Sequence, residues 1–439
     1  MRKLTSFTLK PQQLIYIQLF FVCIILFPIT EFNIPSSVMN ITDVITCVGT
    51  VFLVLKLSHS LRNKHVNGID LAIALFFLYA LLTSVVNEVS LLQVAWALRM
   101  TLRFYLFYYC CVVLLDRSGA SAVLRMFEIM FFVNTLLVAF EFLVQGKEGD
   151  YLGGMFGVEQ GANGYMNIYL IILLAYEISK YLRQQLSLTY LAFYVIISLG
   201  IAALAEIKFL YAEFIVIIIC SVLFRYPTRK TFFFVFAAFG LFLAGLQVLK
   251  LIFPDSYRMM LSGEGTEDYL SASWTGGREM GRTTAIKFID DSFFSSYPIQ
   301  KQYGIGSDNL FLNRLFGFGF GSAEPSALTH NAFAEQYSNT QYGAFEFADR
   351  YLEMGWIGLS LFVLIFIMIF INTFTSNHAN DIEAIIWSEA TRVLIPVVLM
   401  NVWYGSLRTE ASYLLFFFLA LPRIASRKSQ SQKNGGNID

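Results

Sequence analysis

Two arginines stand four residues apart, directly after a glycine pair. Arg278 and Arg282 follow Gly276-Gly277, and we expect a helix after that turn, with both guanidinium groups on one face. A planar guanidinium grips phosphate in bidentate fashion, so the two could clamp a phosphorylated ligand. In the alternative interpretation both arginines are exposed and pair with Glu279 or Glu264.

His330 lies in the same long polar stretch, just before Asn331. A side chain that titrates near neutral pH suits a general base that takes a proton from a hydroxyl group. The alternative is a histidine that is hydrogen-bonded within its own loop. Asp290-Asp291 is the nearest candidate for a metal site in this stretch, and we favour a solvated helix end there.

Charges also lie within the apolar blocks of the chain and at a turn between two of them. Arg99 and Arg103 are one helical turn apart, and they either bind an anionic lipid group or extend to the membrane surface. Glu206 and Lys208 flank one residue at a turn between two apolar blocks. They could form an ion pair at a tight turn, or they could contact a substrate.

Two glycine-rich motifs follow, Phe316-Gly317-Phe318-Gly319-Phe320-Gly321-Ser322 and Glu353-Met354-Gly355-Trp356-Ile357-Gly358. Glycine lets a backbone approach a ligand or a neighbouring helix closely. Taken alone, the first motif could be no more than a turn.

The composition identifies the setting of these residues. The 439-residue chain is 56% hydrophobic and only 14% charged, with a mean hydropathy of +0.60. This excludes an ordinary cytosolic domain, and the apolar blocks are too long for the alternating strands of a membrane barrel. The net charge of zero gives no argument for nucleic acid. The five cysteines all fall in apolar blocks, so we expect them to be buried and unpaired.

The sequence predicts an all-α, polytopic integral membrane protein with about twelve transmembrane helices. The predicted spans lie near residues 14–30, 38–57, 69–86, 94–115, 122–144, 162–180, 188–204, 209–224, 231–253, 351–372, 384–403 and 408–423.

Lysine and arginine fix the expected orientation, because they are retained in cytoplasmic loops. With the N-terminus inside, sixteen of them fall in inner segments and only three in short outer loops. Both termini are then cytoplasmic. The expected organisation is nine membrane helices in 1–253, a large extracytoplasmic loop folded as a cap in 254–350, three helices in 351–423 and a cytoplasmic tail in 424–439. Such a long loop is usually functional.

The order of these features resembles the O-antigen polymerase and ligase superfamily, often called Wzy-like. The resemblance covers residues 277–360 and consists of Gly281-Arg282, the Phe316–Ser322 motif, His330-Asn331 and the motif that begins at Glu353. Elsewhere it is one of topology. Many members carry Ser-Arg at the outer end of an earlier span, where this chain has Glu206-Ile207-Lys208.

The resemblance implies a glycosyltransferase of the bacterial cytoplasmic membrane. It would join a polyprenyl-pyrophosphate-linked oligosaccharide donor to a second lipid-linked unit, with inversion, on the outer face. Arg278 and Arg282 would stabilise the leaving pyrophosphate, and His330 would activate the acceptor hydroxyl. The expected substrate-binding residues are Lys208, Arg99, Arg103, Glu206 and Glu353. Loop aromatics could stack on sugars, or they could equally well be core residues of the loop. They are Trp274, Tyr297, Tyr303, Tyr337 and Tyr342.

No metal or other cofactor is expected. The long loop offers carboxylates, but it has neither a DxD-like pair nor a histidine cluster beside one. The expected partners are the lipid-linked substrates, membrane lipid and a chain-length regulator, with no nucleic acid. Two alternatives stay open: a ligase that transfers finished polysaccharide to a final acceptor, and a flippase for lipid-linked oligosaccharide. The long outer loop argues against the flippase.

Overall fold

The computed structural model describes residues 10–58, 67–224, 229–296, 305–326, 329–375 and 381–434. Within these ranges the secondary structure is helical and contains no β-strand. Each of the twelve apolar blocks coincides with helix. Before the long connection these helices are α1 (Pro11–Ile24), α2 (Leu26–Glu31), α3 (Ile41–Ser58), α4 (Gly68–Val86), α5 (Leu91–Leu114), α6 (Arg117–Leu143), α7 (Ala162–Leu182), α8 (Leu188–Leu204), α9 (Lys208–Leu223) and α10 (Arg229–Ile252).

The long connection and the chain after it complete the fold. Short helices occupy the connection: α11 (Pro254–Leu261), α12 (Gly263–Ser271), α13 (Ala285–Ile289), α14 (Leu310–Phe316) and α15 (Ala332–Tyr337). Three long helices follow, α16 (Glu346–Thr375), α17 (Ile382–Tyr404) and α18 (Ser412–Asn434). We call the end of the bundle that carries the described residues between 254 and 345 the loop face.

Six helical segments among the described residues are long and apolar enough to cross a membrane. They are Pro11–Glu31, Ser36–Lys56, Gly68–Val86, Leu91–Leu114, Arg117–Leu143 and Glu346–Thr375. Three shorter apolar helical segments accompany them, Leu188–Leu204, Phe239–Ile252 and Ser412–Ser426. The chain is therefore a multi-pass α-helical membrane protein.

Polar side chains start several of these helices. Asn67 accepts a hydrogen bond from the Ile69 backbone at the start of α4, and Asp116 accepts one from Gly119 at the start of α6, at 2.7 Å. Because the first amides of a helix have no partner within it, such caps fix where the apolar segment begins.

The helices near the loop face pack around α5 and α16. α5 lies against α3 and α18, while α16 lies against α4 and α17. Aromatic contacts fill these interfaces, such as Phe104 with Tyr413 at 4.9 Å between ring centroids. The packing brings together residues from both ends of the chain.

The structure corrects the expected helix after Gly276-Gly277. Both glycines have positive φ, 63° and 81°, and the backbone forms turns until α13 begins at Ala285. Left-handed glycines interrupt a helix, so Arg278 and Arg282 do not share a helical face. The prediction of a Gly-Arg helix is wrong at this point.

The i, i+3 spacing of Arg125 with Glu128 and of Glu389 with Arg392 predicts ion pairs within single helices. In the structure Glu128 instead pairs with Lys180 at 2.6 Å, and Glu389 pairs with Arg183, at the end opposite the loop face. Among the cysteines, four are buried and unpaired as expected, but Cys47 is exposed. It lies on α3, whose neighbouring side chains Val44 and Val48 face outward.

Candidate functional site at the loop face

The two glycine-rich motifs pack directly on each other. The Phe318 amide donates to the Leu352 carbonyl at 2.9 Å, and the Gly319 amide donates to the Glu353 carbonyl at 2.8 Å. α16 is broken at Gly355, where φ is 63° and ψ is −166°. The first motif therefore supplies partners for carbonyls next to the break, which would otherwise lack them. Of the two roles foreseen for these glycines, close backbone packing is the one observed.

Glu353 takes part in this packing and is fully buried. Its Oε1 accepts hydrogen bonds from the backbone amides of Gly321 at 3.0 Å and Ala323 at 3.3 Å. The carboxylate that was expected to bind substrate thus fastens the glycine-rich segment to α16.

Lys208 and Arg282 meet at a tyrosine. The Lys208 ammonium lies 5.2 Å from the centroid of the Tyr269 ring, and the Arg282 guanidinium lies 5.1 Å from the same centroid. Arg282 also lies 3.9 Å from the Tyr404 ring centroid, and its Nε donates to the Tyr404 carbonyl at 2.9 Å. We call these four residues, with Glu206, the Tyr269 site.

The Tyr269 site joins elements that are distant in sequence. Lys208 is the first residue of α9, Tyr269 belongs to α12 and Tyr404 ends α17. The two tyrosine hydroxyls lie 2.9 Å apart, and the Tyr404 ring stacks on Phe209 at 3.8 Å. This packing holds both cations at the loop face.

The charge balance of the Tyr269 site favours an anion. Its one carboxylate, Glu206, lies 2.9 Å from the Lys208 ammonium. Arg282 contacts aromatic rings and a backbone carbonyl, which leave its positive charge in place. Lys208 also stands at a helix N-terminus, where backbone amides favour negative charge.

Arg278 is exposed and is not part of the described contacts of the Tyr269 site. Its expected partnership with Arg282 depended on the helix that the glycine turn replaces. The solvated helix end favoured over a metal site at Asp290-Asp291 is wrong for Asp290, which is buried. It accepts hydrogen bonds from Arg314 Nε at 2.9 Å and from the Tyr351 hydroxyl at 2.7 Å. The hydrogen bond to Asp290 raises the pKa of Arg314.

His330 lies on an exposed part of the loop face. Its Nδ1 is 2.6 Å from Glu335 Oε1, which matches the expected alternative of a histidine bonded within its own loop. It borders a polar cavity of about 310 Å³, which is also lined by Asn87, Glu88 and Gln93. No contact between His330 and the Tyr269 site exists among the described residues.

Arg99 and Arg103 face carboxylates instead of open membrane. Both pair with Asp43, at 2.6 Å and 3.2 Å, and Arg103 also pairs with Glu410 at 2.8 Å. Arg103 is buried. Asp43 and Glu410 thus balance the charges of both arginines within the protein, so the balance does not depend on the surrounding lipid.

The aromatic side chains expected to stack on sugars have mixed outcomes. Tyr342 is buried, and its hydroxyl donates to the Ala323 carbonyl; burial raises the pKa of Tyr342. Tyr337 packs on Phe293. Tyr297, Tyr303 and the Trp274 side chain lie outside the described residues.

Sequence reasoning missed a buried charged network beneath the glycine-rich segment. Arg350 is 1% exposed; its Nε donates to Glu346 at 2.9 Å and its Nη2 to Thr101 at 3.1 Å. Arg408 contacts Glu324 and Asp349. The signal was present, because Glu346, Asp349, Arg350 and Glu353 recur at helical spacing just before an apolar block.

The same network contains a cluster of three carboxylates, and it is the one cluster among the described residues that could hold a metal ion. Glu324, Asp349 and Glu353 each bring an oxygen within 4.8 Å of the others. The Arg408 guanidinium already contacts two of these carboxylates. The Arg408 guanidinium therefore already supplies a positive charge to this carboxylate cluster, and the geometry does not require a metal ion.

The fold and the loop face thus define a multi-pass α-helical membrane protein with a cationic, aromatic site at one end of its bundle. No protein-family model matches the chain, and no curated protein matches it significantly. The case for a function therefore rests on its own residues.

Proposed function

We propose that the chain is a polysaccharide polymerase, for O-antigen, capsule or exopolysaccharide, that joins polyprenyl-pyrophosphate-linked repeat units by inverting glycosyl transfer. In this proposal twelve helices span the bacterial cytoplasmic membrane, both termini are cytoplasmic and the loop face is extracytoplasmic. The observation that carries the proposal is the position of Lys208 and Arg282 on one tyrosine ring.

The Tyr269 site suits the pyrophosphate of a lipid-linked donor. Its five defining residues offer two cations against one carboxylate, and both cations are partly exposed at the end of the bundle. A polyprenyl chain would run along the apolar helices while its pyrophosphate reached this level. The adjacent tyrosines could pack against the first sugar.

The reaction follows from that position. The acceptor hydroxyl attacks the anomeric carbon of the donor sugar while the bond from that carbon to the pyrophosphate oxygen breaks. The electron pair leaves with the pyrophosphate, and Lys208 and Arg282 stabilise its charge without a metal ion. The configuration inverts, and the hydroxyl proton passes to a base.

His330 is the base in this proposal. If Nδ1 carries the proton that faces Glu335, Nε2 has a free lone pair and can accept a proton. The polar cavity beside it would hold the acceptor. Because a base must lie within hydrogen-bonding distance of the proton that it accepts, the acceptor hydroxyl reacts beside His330. No described contact joins His330 to the Tyr269 site, so the first sugar of the donor must extend from that site until its anomeric carbon reaches the hydroxyl.

Deleting the gene in its own host tests the proposal. Single lipid-linked units accumulating at the outer face, with no long polymer, are the expected result in gels and mass spectra. Long lipid-linked polymer that never reaches its final acceptor would instead identify a ligase. Single units trapped at the inner face would identify a flippase, and an unchanged glycan profile would end the proposal.

A further inference from the structure

The outward side of α3 forms an apolar stripe that leads to a basic cleft. Val44, Val48, Val51 and Leu55 recur at intervals of three or four residues and are 41% to 62% exposed. This spacing puts them on one side of the helix. In a membrane protein such a stripe faces lipid chains.

At the end away from the loop face the stripe leads into a cleft of about 450 Å³. The cleft lies between the start of α1 and the ends of α3 and α5. α1 contributes its first turn, α3 its last and α5 its final residue. The lining residues include Lys10, Pro11, Phe52, Leu55, Lys56 and Leu114. Apolar walls with two lysines match the boundary between acyl chains and headgroups.

Helix ends hold the two lysines in place. The Lys56 ammonium donates to the Val113 carbonyl at 2.8 Å, in the last turn of α5. The backbone amide of Lys10 donates to the Gln13 side-chain oxygen at 2.7 Å, which fixes the backbone of Lys10 at the start of α1, and the Lys10 side chain lines the cleft. The acidic residue nearby, Asp116, accepts from the Gly119 amide and the Ser118 hydroxyl. These hydrogen bonds, and the charge of Lys56 to a smaller extent, lower the pKa of Asp116. Asp116 therefore shares the charge of Lys56, but no carboxylate lines the cleft itself among the described residues.

We propose that this cleft is a binding site for an anionic diacyl phospholipid. The headgroup phosphate lies between Lys10 and Lys56, and one acyl chain follows the Val44–Leu55 stripe. Charge complementarity selects an anionic headgroup, and the apolar walls select a lipid over free phosphate. The site is distinct from the Tyr269 site and does not depend on the proposed enzymatic function.

Native mass spectrometry of the full-length, delipidated protein in detergent tests the site. Wild-type protein should bind phosphatidylglycerol more tightly than phosphatidylcholine. Loss of both lysine charges in Lys10→Gln/Lys56→Gln should weaken phosphatidylglycerol binding about tenfold. Lys10→Arg/Lys56→Arg keeps the charge and should bind nearly as wild type does. Lys287→Gln, at an exposed position of α13 on the loop face, is the matched control.

Equal binding of the two lipids by wild-type protein would overturn the proposal, as would equal loss in the Lys287→Gln control. If the glutamine variant does not fold, cross-linking of a phosphatidylglycerol with a photoreactive acyl chain to wild-type protein decides the matter. Labelled peptides from α1 and α3 support the site. Labelling spread over all lipid-facing helices, or binding of inorganic phosphate with the same affinity, contradicts it.

Discussion

Gly317 lies so close to Glu353 that a Cβ atom on the glycine would come within 2.3 Å of the Glu353 carbonyl carbon. Gly355 stands in the same relation to Leu315. These approaches lock the glycine-rich segment onto the broken helix α16, on which the loop face depends.

Gly317→Ala should destabilise the protein, because the methyl group meets backbone and φ at this position is +69°. The expected cost is about 1–3 kcal/mol, visible as a lower thermal unfolding temperature in detergent. Gly343→Ala is the control, since nothing lies within 4 Å of its Cβ position. Equal unfolding temperatures for both variants would contradict this account.

Arg350→Met should be more damaging still. It removes the guanidinium that pairs with Glu346 at 2.8 Å inside the protein. The buried Glu346 carboxylate then keeps only the more distant Arg408, at 3.9 Å, as its cation, so the expected cost is about 3–5 kcal/mol. Thermal unfolding and expression level measure the effect. Arg258→Met removes an arginine whose side chain is 80% exposed, and it should leave both measurements unchanged.

Arg282→Ala should abolish polymer in a complementation assay while the protein level stays normal, because it takes a cation from the Tyr269 site. Arg282→Lys keeps the charge and should retain part of the polymer. Arg278→Ala should have the weaker effect, since Arg278 is exposed and lies outside the described contacts of that site. Equal loss in both alanine variants would favour the original clamp of two arginines.

His330→Ala should also abolish polymer without loss of protein, because no base would then accept the hydroxyl proton. Glu335→Gln keeps a hydrogen-bonding side chain next to His330 Nδ1 but removes the charge, so a partial loss of polymer is expected. Polymer of normal amount and length from His330→Ala would remove His330 from the mechanism.

Cysteine labelling tests the orientation. A membrane-impermeant maleimide on intact cells should label Lys287→Cys on the loop face, but should label Gln185→Cys only after permeabilisation; both positions are exposed. The exposed Cys47 is first replaced by serine to remove background. The reverse pattern would invert the proposed topology.

The positions of the helices could be predicted from the sequence. All twelve apolar blocks are helical in the structure, because a backbone in hydrocarbon must satisfy its hydrogen bonds within the segment. The helix expected after Gly276-Gly277 was wrong because its spacing argument ignored two glycines that adopt positive φ. The left-handed backbone of the two glycines thus outweighed the i, i+4 spacing of Arg278 and Arg282.

The sequence by itself determined the class of the protein, the helical segments and the long connection, since these follow from composition and from local patterns. Only the tertiary structure decided which charges meet. Lys208, Tyr269, Arg282 and Tyr404 converge from four separate parts of the chain, and Arg408 reaches Glu324 and Asp349. Such pairs depend on how helices pack against one another, and no spacing along the sequence records that packing.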